Sequence, residues 1–236
     1  MMTSSDTPVP AWTPDIPGVR AARRIAAAAE QASSAWTEEG DPASAAAAAG
    51  HFQAGLAGVA AALRAMADYE PGPVPDSGRY TSPWEPCIYL HCAARAIGYA
   101  ASDMREAGCE IPAAAPATPA VTAAAQLAGA AAEAAAIIGR PAGTVQARDE
   151  VVISFMHVTV VLGSSAAALA GHAGYPLSGL LTRQRARLEQ ARICLREALA
   201  ASACGQDDAA SLAIARDVRS RHPEMPEHED PGSADR

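Results

Sequence analysis

Apolar and small residues recur along this chain with the three-and-four spacing of amphipathic helices. Between 42 and 69, Phe52, Leu56, Val59, Leu63 and Met66 form one seam. Cys87, Leu90, Ala94, Ile97, Ala101 and Met104 form a second between 83 and 107. Leu181, Gln184, Leu188, Ala191, Leu195 and Leu199 form a third between 177 and 204. A helix over 119–139 has a mostly Ala face with Val121, Leu127 and Ile138, and a first helix covers 17–37. The fifth helix, 145–173, contains Val151 to Gly171, which carries no formal charge and has His157 as its one ionisable side chain. Its large apolar residues fall on every side of a helical projection, as in a helix at the centre of a bundle or in a bilayer. No segment needs to be a strand: the β-branched run from Val151 to Leu162 would have no second strand to pair with.

Punctuation supports these boundaries. Asp41-Pro42, Ser82-Pro83 and Thr118-Pro119 each place an N-cap residue before Pro at the first helical position. Glu85 completes a capping box with Ser82. Gly40, Arg140-Pro141, the Gly171–Pro176 stretch and Gly205 end helices, and Asp207 or Asp208 caps a short last helix to about Arg221. The expected fold is all-α: an antiparallel bundle of about six long helices plus a short C-terminal helix over 17–221. The fifth helix is expected to be innermost. Residues 1–16 read as a flexible arm and 222–236 as a disordered acidic tail. No internal repeat appears at a solenoid period.

Composition narrows the chemistry. Roughly a quarter of the chain is Ala, which favours closely spaced helices around a thin core. All 18 basic residues are Arg and there is no Lys, so a P-loop, Schiff-base or kinase-type lysine is excluded. The net charge of −8 argues against general nucleic-acid binding. Five cysteines without a CxxC read as reduced, small apolar residues. The opening MMTSSDTPVPAW has no basic start and no apolar core of a signal peptide, so the expected location is cytoplasmic.

Three groups of residues carry candidate chemistry. Tyr69, Tyr80, Trp84, Tyr89 and Tyr99 would line a small apolar pocket, with Glu85, His91 and Arg95 as polar fixtures. Cys87 and His91 have the i, i+4 spacing that brings two ligands to one metal, and His157 is a third candidate. Arg183, Arg185, Arg187, Arg192 and Arg196 would form an anion patch, although Glu189 shares a face with several of them. No catalytic motif stands in a helical context that would use it, and no cofactor is predicted. The leading expectation is a non-enzymatic interaction or regulatory protein that binds a protein partner, or a second copy, through an apolar helix seam. A ligand- or metal-binding bundle is one alternative. A membrane-associated protein with 151–171 as a single span is the other.

Overall fold

A computed structural model describes residues 16–39, 42–68, 85–111, 117–138 and 145–204. They form six helices: α1 (Pro17–Glu39), α2 (Pro42–Ala67), α3 (Glu85–Glu106), α4 (Pro119–Ile138), α5 (Val145–His172) and α6 (Leu177–Cys204). Pro17, Pro42 and Pro119 each occupy a first helical position, where the missing N–H costs nothing. Thr118 caps α4, its Oγ1 accepting the Val121 N–H at 3.3 Å. Beyond α3, the N–H of Gly108 bonds the Arg105 carbonyl and that of Cys109 bonds the Met104 carbonyl, both at 2.9 Å. With Gly108 at φ +80° and Cys109 and Met104 both buried, this is a Schellman turn with its apolar contact. The arm expected before Ile16, the Ser82-Pro83 cap, the short last helix and the acidic tail lie outside the described residues.

Each helix packs extensively on two others, in the circular order α1, α4, α2, α3, α6, α5 and back to α1. A narrow contact between α2 and α5 crosses the ring. The result is two layers, α4–α2–α3 and α1–α5–α6. Side-chain pairings set the directions. Gly55 faces Leu127 and Gly58 faces Ala131, so α2 and α4 run parallel. Trp36 Nε1 donates to the Ala120 carbonyl at 3.1 Å while Gly18 meets Ile138 at the other end, so α1 and α4 are antiparallel. Asp68 reaches His91, and Arg187 reaches Asp103, each across an antiparallel pair. Gly18 lies against Val151 and the Ala29 carbonyl against Ser165, making α1 and α5 the second parallel pair. Consecutive helices alternate in direction, as an antiparallel bundle requires.

This arrangement contains an inverted repeat. Exchanging α1 with α4, α2 with α5 and α3 with α6 leaves the set of packed neighbours unchanged and reverses every direction. The operation is a two-fold rotation about an axis between the layers and perpendicular to the helices. The residues follow it. At a shift of 102 positions, Val19 aligns with Val121, Ile25 with Leu127, Ala29 with Ala131 and Ala32 with Ala134, and all eight are buried. At a shift of 103, Phe52 aligns with Phe155, Val59 with Leu162 and Met66 with Leu169, again all buried. The Gly18–Ile138 contact becomes the Trp36–Ala120 contact when the helices are exchanged. The repeat is about 100 residues long, far outside solenoid periods, and its Ala-rich helices leave few distinctive letters to align.

Two expectations are corrected. The fifth helix is not the innermost: it is the middle helix of one layer, with an outer face, and α2 buries more of its apolar stretch (67% against 50%). The cytoplasmic location is overturned. Among the described residues three helical stretches, Pro42–Ala67, Pro119–Ile138 and Arg148–His172, are long and apolar enough to cross a membrane, where the sequence suggested a single span.

Candidate functional site

The three sequence-derived groups are distributed as follows. Of the pocket residues, Tyr69, Tyr80 and Trp84 lie outside the described residues, as does the side chain of Glu85 at the start of α3. Tyr89 packs against the core, while His91, Arg95 and Tyr99 are exposed on α3. Tyr99 lies under the Arg187 guanidinium at 5.4 Å. Cys87 Sγ accepts a hydrogen bond from Arg148 Nη2 at 3.1 Å. His91 Nε2 stands 3.3 Å from Asp68, and His157 Nε2 stands 3.6 Å from Glu30 on α1. The three metal candidates therefore face three different partners, and no cluster of three or more ligand side chains forms among the described residues.

The arginines divide in the same way. Arg187 places Nε and Nη2 each 2.9 Å from Asp103 Oδ2, and Arg192 pairs with Glu189 one turn away. Arg183 and Arg185 are exposed. The Asp103 partner was absent from the sequence reading because it lies 84 positions away, and only the α3–α6 register brings it close.

The feature that stands apart is the outer face of α5. Ile153, His157, Val160 and Ser164, spaced by four, three and four, form one exposed ridge that continues to Gly171. Ile153 and Val160 are 55% and 50% exposed, unusual for large aliphatic side chains. From Ile153 to Gly171 the ridge runs about 27 Å at 1.5 Å per residue. The opposite side of the helix explains why the chain holds this ridge outward. Phe155, Val158, Leu162 and Leu169 are fully or almost fully buried, and Ser165 Oγ lies 2.8 Å from the Ala29 carbonyl and 3.0 Å from that of Val161. Those contacts fix the helix rotation. The inner face follows the expected periodicity, and apolar residues on the other side are left over. Sequence periodicity missed the ridge because an all-round apolar helix gives no sign of which side the bundle covers.

No family model, no curated protein and no solved structure matches the chain.

Proposed function

We propose that this protein is a membrane-associated helical bundle that docks on a bilayer through the outer face of α5. The observation that carries the reading is the exposure of Ile153 and Val160 on a helix without a formal charge from Val151 to Gly171. Water penalises such a ridge, and an acyl-chain boundary takes it up. The neighbours of α5 in its layer bring exposed arginines, Arg23 on α1 and Arg183 and Arg185 on α6, suited to anionic headgroups. The protein acts here by binding, through a helix face, with lipid as the partner.

The test is flotation of the full-length protein with neutral phosphatidylcholine vesicles and with vesicles containing phosphatidylglycerol. Wild type is expected to float with both, and more completely with the anionic ones. The double variant Ile153→Asp/Val160→Asp is expected to stay in the dense fraction with an unchanged helical circular dichroism spectrum. Wild-type protein that floats with neither overturns the reading. A detergent-free homodimer dissolved by the same double variant would instead give this face to a second copy of the chain.

A further inference from the structure

We infer that Cys92 on α3 and Cys194 on α6 are a peroxide-oxidised thiol pair, closing to a disulfide that staples the two helices together. Antiparallel packing places them opposite each other. Arg187 of α6 touches both Tyr99 and Asp103 of α3, with its guanidinium carbon 5.4 Å from the Tyr99 ring centre and Nη2 2.9 Å from Asp103 Oδ2. In an antiparallel pair, two turns back along one helix match two turns forward along the other, about 10.5 Å in each case. Seven residues before Tyr99 and Asp103 stand Cys92 and Ala96, and seven after Arg187 stands Cys194. A step of seven turns a helix by only about 20°, so the facing is kept. Ala96 and Ala191, on the same faces, are small and buried, and put no bulk between the helices here.

The electrostatics agree with this register. Burial pushes the Cys194 thiol up and Cys92 adds to the rise, so the two sulfurs lie within each other's field. Cys92 is exposed and Cys194 partly buried. The other described cysteines are placed differently. Cys87 is level with Leu199, five residues beyond Cys194 on α6, and accepts from Arg148. Cys109 is buried past the far end of α3.

The difference in exposure assigns the roles. The Cys92 thiolate meets solvent and attacks one oxygen of hydrogen peroxide. The O–O bond breaks, hydroxide leaves and takes the proton the thiol gave up, and a sulfenic acid remains on Cys92. The Cys194 sulfur then attacks the Cys92 sulfur while its proton goes to the departing hydroxyl, which leaves as water. Two thiols lose two electrons, one peroxide becomes two waters, and the S–S bond ties α3 to α6.

Full-length reduced protein treated with hydrogen peroxide, then alkylated and cleaved after arginine, tests this. Expected is a fall from five to three free thiols per chain and a dithiothreitol-sensitive species joining peptide 80–95 to peptide 193–196. Fragmentation of that species is expected to place the bond at Cys92 and not at Cys87, and Cys92→Ser is expected to lose it. In Cys194→Ser, dimedone is expected to label Cys92, whose sulfenic acid then has no thiol to resolve it. Wild-type protein whose Cys92 accumulates dimedone-labelled or sulfinic forms without the linked peptide overturns the inference. A Cys92–Cys92 link between two chains, or thiols that all stay unreacted, overturns it equally.

Discussion

Ala29 on α1 and Ala131 on α4 occupy the same place in the two halves of the molecule. Both are fully buried, and each touches a parallel neighbour: Ser165 of α5 bonds the Ala29 carbonyl, and Gly58 of α2 faces Ala131. At these two contacts small residues meet small residues, serine against alanine and glycine against alanine. Here the unusual composition becomes a packing requirement.

The α2–α4 approach is the tighter. A Cβ on Gly58 would stand 2.8 Å from the Ala131 Cβ and 2.9 Å from its backbone carbon, so one helix must move. Gly58→Ala is expected to destabilise by about 1–3 kcal/mol in urea denaturation. Gly129→Ala, in open space on α4, is expected to stabilise by up to ~1 kcal/mol. Equal effects would place the close approach elsewhere.

At the end of α3, Gly108 holds φ +80°, where a side chain is strained, although nothing lies within 4 Å of its would-be Cβ. Gly108→Ala is therefore expected to cost about 1–2 kcal/mol through backbone conformation alone. Gly108→Asn is expected to recover part of that loss. Calorimetric midpoints of the two variants decide the matter.

Removal of the Ser165 hydroxyl leaves the Ala29 carbonyl without that donor. Ser165→Ala is expected to cost about 1 kcal/mol, and Ser165→Val more, because the added methyl must fit against α1. Chemical denaturation of the two variants measures the order; a Val variant as stable as wild type would refute the tight α1–α5 seam.

Burial pushes the Cys194 thiol up to about 11, with Cys92 and Glu197 adding to the rise. Since the thiolate is the nucleophile, Cys194 is expected to alkylate far more slowly than the exposed Cys92 at pH 8, as peptide mapping after iodoacetamide would record. The linkage has a definite sign. The unfolded chain's thiol ionises near 9, so the unfolded state releases its proton first and stability falls as pH rises from about 9 to 11. Cys194→Ser is expected to flatten that slope.

The starts of α1, α2 and α4 and the ends of α1 and α6 were legible because they rest on local chemistry: proline at a first position, threonine as a cap, glycine after an end. The inward seams of α3 and α6 were legible for a similar reason, since a 3.6-residue period survives whatever the partner is. Neighbour choice was not. Nothing near Arg187 announces Asp103, and nothing near Ala29 announces Ser165; both pairings depend on a ring order that no local pattern encodes. The outer ridge of α5 was hidden by its own uniformity. The amide of Gln184 stood in plain view inside a seam, but only the packed structure shows that it is fully buried without a hydrogen-bond partner among the described residues.

The inversion of the two halves follows from parity. A unit with an odd number of antiparallel helices returns the chain to the end opposite its start, so a second such unit, joined by a short connection, must begin upside down. Three helices per half leave no alternative, and an even-numbered unit would have stacked right way up. One count, made at the level of the unit, thereby decides the handling of every later contact: α1 meets its own counterpart head to tail, and each half presents to the other the surface it would present to a copy of itself.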